Sequence, residues 1–210
     1  MTQDEGIVYL VDDDPEVLQA THWLLDSNGF PVVTASDGES FKETLEPDRP
    51  GCVILDIRMP GKDGLTAHED LRDQGWQIPV IFLTGHGDIP QAVRALQNGA
   101  HHFLEKPYEP TALIETVQQA LEEDRNRHRE ERRLAGYRQR LARLTPRERE
   151  VARYVAAGYS SKEAARALDS SPRTVEVHRR SVLDKLEVTT TVEVVHILNS
   201  LDESLPEREQ

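Results

Sequence analysis

Five short apolar runs punctuate the first half of the chain, at residues 7–11, 32–35, 53–57, 80–84 and 102–105. They are continuous rather than alternating, as strands covered on both faces require. Between them lie stretches of helical character around 15–26, 39–45, 65–72 and 90–97, and another opens at Pro110. Strand and helix in regular alternation predict an α/β, doubly wound, five-stranded parallel sheet with right-handed crossovers.

The pattern changes after residue 121. From 122 to 133 there is almost no apolar residue, and neither Gly nor Pro interrupts the run. Opposite charges recur at helical spacing, as in Glu123 with Arg127 and Arg127 with Glu131, each pair adding about 0.2–0.5 kcal/mol. This predicts a long, solvated linker helix that continues the last helix of the first half and weakens near Gly136, with a disordered charged linker as the competing reading. Beyond it, Thr145-Pro146-Arg147-Glu148, Ser160-Ser161-Lys162-Glu163, Ser171-Pro172 and Thr190-Thr191-Val192-Glu193 carry the cap residues of four helix starts. Helices are expected near 146–157, 161–168, 172–186 and 191–201, a small all-α domain of which the second and third helices have helix-turn-helix proportions. The chain thus divides into 1–121, a linker at 122–141, a helical domain at 142–202 and a flexible, acidic tail at 203–210.

The net charge of −13 is unevenly spread. Residues 1–120 hold 7 Lys+Arg against 21 Asp+Glu, whereas 142–200 hold 10 against 8. The front half should repel nucleic acid and the back half should not. Cys52 is the single cysteine, so no internal disulfide is expected; with no basic, apolar leader and no apolar run longer than a strand, the expected location is the cytoplasm, with no membrane partner.

Chemistry in an open parallel sheet collects at the carboxyl ends of the strands. The first strand leads into Asp12-Asp13-Asp14, the third ends at Asp56, the fourth at Thr84 and the fifth leads into Lys106. Clustered carboxylates repel one another, and a hard dication such as Mg²⁺ relieves the repulsion. An ionised Asp beside such a cation is a usable nucleophile towards a phosphoryl group. Asp56, the one acid ending an apolar central strand, is the candidate, with Thr84 and Lys106 placed to meet the charge on the transferred group.

In the back half, Val175, Val182 and Leu186 share one face of the third helix, with Leu183 beside them. Arg173, Val177, Arg180 and Asp184 lie opposite, flanked by Glu176. In a major groove Val177 would meet a thymine methyl and Arg180 a guanine, while Arg173, Thr174, Arg179 and Lys185 are better placed for phosphates. Glu176 would accept from cytosine N4 or simply repel wrong sites. An ordinary charged surface helix would show a similar distribution.

Residues 5–120 resemble the receiver domain of two-component response regulators, a flavodoxin-like fold. The segments that carry the likeness are Val11-Asp12-Asp13-Asp14, Leu55-Asp56-Ile57-Arg58-Met59-Pro60-Gly61-Lys62-Asp63-Gly64, Leu83-Thr84-Gly85-His86-Gly87-Asp88 and Phe103-Leu104-Glu105-Lys106-Pro107. The last two resemble the FixJ branch. The likeness implies phosphorylation of Asp56 by a sensor histidine kinase, Mg²⁺ held by Asp12, Asp13, Asp56 and the Arg58 carbonyl, and Thr84 and Lys106 on the phosphoryl group. It also implies a switch residue at Phe103, which lacks a phenolic hydroxyl, a cis Lys106–Pro107 bond, and a homodimer formed on phosphorylation through the surface from Asp88 to about Ala120.

Residues 141–201 resemble the LuxR/NarL-type output domain through Leu144-Thr145-Pro146-Arg147-Glu148-Arg149-Glu150-Val151, Ala157-Gly158-Tyr159-Ser160-Ser161-Lys162-Glu163-Ala164-Ala165 and Ser171-Pro172-Arg173-Thr174-Val175-Glu176-Val177-His178-Arg179. That likeness implies binding to double-stranded promoter DNA through the third helix, pairing of output domains through the fourth, and framework roles for Glu150 and His178. Together the two halves read as a phosphorylation-gated transcription regulator rather than an enzyme. The competing readings are a Mg²⁺-dependent aspartyl phosphohydrolase and a DNA-binding regulator that works without phosphorylation.

Overall fold

The computed structural model describes residues 6–85, 89–203 and 205–206. The chain divides into two compact units, Met1–Arg129 and Glu130–Gln210.

The first unit is a five-stranded parallel sheet in the order β2-β1-β3-β4-β5, formed by β1 (Ile7–Val11), β2 (Val32–Ala35), β3 (Gly51–Asp56), β4 (Val80–Thr84) and β5 (His102–Glu105). Alternate residues of each strand feed two separate cores. Tyr9, Val11, Val53, Leu55 and Phe82 pack on one face with α2 (Gly64–Asp73) and α3 (Ile89–Gln97). Val8, Leu10, Ile54, Ile81 and Leu83 pack on the other with α1 (Pro15–Ser27) and α4 (Pro110–Ala142). Burial on both faces is why the strands read as unbroken apolar runs.

Caps fix the starts of the helices. Asp14 accepts from the Glu16 N–H at 2.8 Å to open α1, and Asp63 accepts from the Thr66 N–H at 2.8 Å to open α2. The expected helix at 39–45 is only a 3₁₀ turn, Ser40–Thr44. Ahead of it, Asp37 accepts from the N–H groups of Glu39 and Ser40, and Pro47 and Pro50 leave no room for further helical turns.

α4 runs to Ala142, and Gly136 does not interrupt it. Its charged stretch departs from expectation. Asp124 and His128, expected on a solvated face, are 1% and 6% exposed. Arg127 donates to Asp124 at 2.7 Å, and Glu123 pairs with His101 at 2.8 Å. The reason lies at the foot of the sheet, where Asp124 accepts the backbone N–H of Gly51, a donor that the start of β3 leaves open.

The second unit packs α5 (Pro146–Ala156), α6 (Ser161–Ala167), α7 (Pro172–Leu186) and α8 (Thr191–Ser200). Capping boxes Thr145/Glu148, Ser160/Glu163 and Thr190/Glu193 open α5, α6 and α8. Ala152, Val182, Leu186, Val194, Ile197 and Leu198 form its main core, and Val151, Ala164, Ala165 and Val175 a second one. The segment after α8, expected to be flexible, makes contacts where it is described. Glu203 accepts from Arg153 at 2.6 Å, and Leu205 packs on the helical core. Ser204 and residues 207–210 lie outside the described residues, as do Met1–Glu5 and His86–Asp88.

Candidate functional site

The strand order places β1 and β3 side by side at the sheet's switch point, the crevice where open parallel sheets bind ligands. Asp12 follows β1 and is 1% exposed; Asp56 closes β3 and is 7% exposed. Lys106, just past β5, reaches both, its Nζ 2.6 Å from Asp12 Oδ2 and 2.6 Å from Asp56 Oδ1. Backbone donors hold the remaining oxygens: the Asp14 N–H on Asp12 Oδ1 at 3.0 Å and the Arg58 N–H on Asp56 Oδ2 at 2.9 Å. Gly64 is required beside this loop, because a Cβ there would stand 2.1 Å from the Asp56 carbonyl oxygen.

Charge is unbalanced at this rim. One ammonium faces two buried carboxylates and the exposed Asp13. Burial raises the Asp56 carboxyl above its ordinary range, against the pull of Lys106, and the nearby Asp12 adds to the rise. Burial also works to lower the Lys106 ammonium, but its bonds to Asp12 and Asp56 hold it above the usual lysine value. Carboxylate oxygens of Asp12, Asp13 and Asp56 lie within 4.8 Å of one another. Three carboxylates at that spacing are a donor set suited to a small, hard dication.

Thr84 closes β4, fully buried, and its Oγ1 has no hydrogen-bond partner among the described residues. A buried hydroxyl left without a partner costs about 1–3 kcal/mol. Phe103 on β5 is half-buried; it stands beside Phe82 in the sheet register and packs on the first core. The Lys106–Pro107 bond is cis. The strand ends thus bring Asp12, Asp13, Asp56, Thr84 and Lys106 to one rim of one sheet, with the Arg58 N–H on Asp56, while Phe103 lies further down β5.

The second candidate surface is α7. Val175, Val182 and Leu186 are buried, while Val177 is 64% exposed among Arg173, Glu176 and Arg180. Ser171 caps the helix and meets Thr174 Oγ1 at 2.8 Å. Arg179 donates to Thr191 Oγ1 at 2.8 Å, and Ser161 on α6 donates to Glu176.

Lys185, expected at a phosphate, is turned inward, its Nζ 2.6 Å from Glu148 Oε2. Glu148 is 5% exposed and also accepts from Ser181 Oγ at 2.6 Å and the Thr145 N–H at 2.7 Å. Burial pushes the Glu148 carboxyl upward, but Lys185, Ser181 and Thr145 together hold it at about 2. The framework acid is thus Glu148. Glu150, expected in that role, pairs at the surface with Arg147 at 2.9 Å. Its capping-box position marks Glu148 in the sequence; nothing local announces that the same carboxylate reaches α7. Asp124 was missed as well, although Leu113, Val117, Leu121, Asp124 and His128 follow one helical stripe at spacings of three and four.

Comparison with known proteins covers both units. Residues 8–118 match the family described as the response regulator receiver domain. Residues 142–198 match the family described as bacterial regulatory proteins, luxR family. The chain is 38% identical to the transcriptional regulatory protein FixJ of Bradyrhizobium diazoefficiens, spanning 92% of this chain and 94% of that one. It is 35% identical to the response regulator protein TodT of Pseudomonas putida, spanning 98% and 90%. Among solved structures, the response regulator StyR matches at 36% identity with a TM-score of 0.86, over 93% of this chain and 98% of that one. Full-length FixJ from B. japonicum matches at 36% identity with a TM-score of 0.58, over 94% and 98%.

Proposed function

The chain belongs to the two-component response regulators that join a receiver to a LuxR-type DNA-binding domain, and from that premise we propose that it is a transcription regulator switched by phosphoryl transfer to Asp56. The observation that carries this is the contact of Lys106 with both Asp12 and Asp56 at 2.6 Å, beside a fully buried Thr84 hydroxyl that has no partner among the described residues.

The donor is a phosphohistidine of a sensor kinase. An Asp56 carboxylate oxygen attacks phosphorus, the P–O bond forms, and the P–N bond breaks with its electron pair leaving on the imidazole. Lys106 gives up part of its contact with Asp56 to meet the phosphoryl oxygens. The Thr84 hydroxyl donates to one of them, a partner it does not have among the described residues. Phosphorylation adds about −1.5 to −2 charge and three acceptors, which these donors are placed to meet.

Asp12, Asp13 and Asp56 fit a Mg²⁺ ion, with the Arg58 carbonyl completing the protein's ligands. When bound, the ion neutralises the packed acids and stabilises negative charge on the phosphoryl oxygens.

Movement of Thr84 opens space towards which Phe103 turns. Phe103 has no hydroxyl, so its change is one of packing alone. The reshaped surface, expected from Asp88, which lies outside the described residues, to about Ala120, pairs two receivers, a population shift between existing states. Promoter DNA is held through α7, by Arg173, Thr174, Glu176, Val177, Arg179 and Arg180, while Lys185 belongs to the framework. Among the described residues no helix is long and apolar enough to cross a membrane, and we place the protein in the cytoplasm with its kinase.

The test combines acetyl phosphate, Mg²⁺ and intact-mass measurement on the full chain. One phosphoryl group should appear on the wild type and none on Asp56→Asn. Labelling retained in the variant would end the assignment of Asp56. DNA titrations at fixed salt should tighten on adding the phosphoryl donor. Equal affinity with and without it would favour a regulator that works without phosphorylation, and sustained turnover of a phosphoester a phosphohydrolase.

A further inference from the structure

The outward face of α7 carries two basic residues that suit a polyanion, Arg173 and Arg180, and two acids that do not, Asp184 and Glu176. A carboxylate facing a phosphate backbone is repelled, so its place on this face has to be offset by something specific. Glu176 is exposed, yet its side chain is oriented: Ser161, at the first position of α6, donates its hydroxyl to Glu176 Oε1 across the helix-turn-helix. Oε2 has no hydrogen-bond partner among the described residues. Val177 and Arg180 line the same open groove.

A fixed carboxylate oxygen accepts hydrogen bonds and donates none. In the major groove guanine offers only acceptors, N7 and O6, and thymine offers O4 and a methyl group. Adenine offers the N6 amine, but beside it the N7 acceptor, which repels a second carboxylate oxygen. Cytosine offers N4–H₂ with no acceptor alongside on its own major-groove edge.

Resting on the reading of α7 as the DNA-reading helix, we infer that Glu176 is a specificity-determining residue that selects one cytosine per half-site through its N4 amine, with Ser161 as the positioning residue that orients it. The carboxylate works in both directions: it accepts from the right base and repels the three others. Removing it weakens discrimination and at the same time strengthens binding to unrelated DNA.

The experiment uses the full chain with acetyl phosphate and Mg²⁺. Duplexes are enriched from a random library with the wild-type protein, and each cytosine of the enriched site is then replaced singly by 2-pyrimidinone, which lacks the 4-amino group. The wild type should lose about tenfold or more in affinity at one cytosine per half-site, within the range of one good base contact. Glu176→Ala should show no loss at that position, accept any base there, and bind random duplex more tightly. Ser161→Ala should lower discrimination at the same base pair without changing the melting temperature, and Ser161→Thr, which keeps the hydroxyl, should restore it. An equal loss in Glu176→Ala, or no cytosine sensitive to the replacement, overturns the inference while leaving the DNA-binding reading intact. A wild-type protein that enriches no sequence overturns both.

Discussion

Asp124 Oδ2 accepts the backbone N–H of Gly51 at 2.8 Å, joining residues 73 apart in sequence at the foot of the sheet. Gly51 is the first residue of β3, and the carboxylate that satisfies it also holds Arg127 and lies 3.3 Å from His128. Asp124→Ala would leave a buried N–H without its acceptor and remove the carboxylate that Arg127 and His128 face. We expect a loss of about 2 kcal/mol in denaturant unfolding of the first unit, and faster hydrogen exchange of the Gly51 amide. Asp124→Asn keeps a carbonyl acceptor and should lose clearly less. Equal losses in the two variants would show that the charge, rather than the bond to Gly51, matters.

Thr84 allows a prediction in which stability and signalling move in opposite directions. Its hydroxyl is buried without a partner among the described residues, so Thr84→Val removes an unsatisfied polar group at nearly constant volume. The unphosphorylated protein should become more stable by about 1 kcal/mol, whereas the gain in DNA affinity on adding acetyl phosphate should fall. A destabilised Thr84→Val would mean that the hydroxyl already has a partner in the resting state.

Removal of the divalent ion should be visible without any phosphoryl donor. Mg²⁺ at a hundred times its dissociation constant should stabilise the first unit by about 2.7 kcal/mol, and EDTA should reverse this. Asp13 is exposed and contributes repulsion to the cluster. Asp13→Asn should therefore leave the metal-free melting temperature unchanged or slightly higher while removing most of the Mg²⁺-dependent rise. A full rise in Asp13→Asn would take that residue out of the ligand set.

The acid and amine cluster was legible because strand ends are legible: each apolar run is short, and the next polar residue falls at the sheet's rim. Helix starts in the second half were legible for a similar reason, since Thr145/Glu148, Ser160/Glu163 and Thr190/Glu193 make local bonds over three residues. What the sequence hid were long-range polar contacts. Asp124 lies in a run of charges whose composition suggests solvent, and only its partner 73 residues away makes it buried. Lys185 lies on the same helix as Arg180, and only Glu148 on α5 distinguishes an inward ammonium from an outward one. Periodicity records which face a residue occupies, but a long side chain at the border of two faces is decided by what waits on the neighbouring helix.

Acid should expose the Glu148 network. Its carboxyl sits at about 2 in the folded protein, against roughly 4.3 in an unfolded chain. A depressed folded-state value means the stabilisation is complete above about pH 4.5 and is lost as the pH falls from there through about 2. Amide exchange in α5 and α7 should accelerate across that window in the wild type. Glu148→Gln should be less stable at neutral pH and show a flatter profile over the same range. Identical profiles for the two proteins would mean that Lys185 and Ser181 do not hold the carboxylate ionised.

The inward turn of Lys185 separates it from Arg180 by a measurement of salt dependence. Each phosphate contact that releases a counterion adds nearly one to the slope of log affinity against log salt. Arg173→Gln and Arg180→Gln, which alter exposed cations on the outward face of α7, should weaken DNA binding. If either residue neutralises a phosphate, its variant should reduce the slope by about one, whereas loss of a base contact should leave the slope nearly unchanged. Lys185 has its ammonium 2.6 Å from Glu148, so Lys185→Gln should leave the slope unaltered. The variant should instead destabilise the second unit by about 1–3 kcal/mol, because a nearly buried carboxylate loses its cation. A Lys185→Gln protein with wild-type stability and a slope reduced by one would place the ammonium on the DNA and not on Glu148.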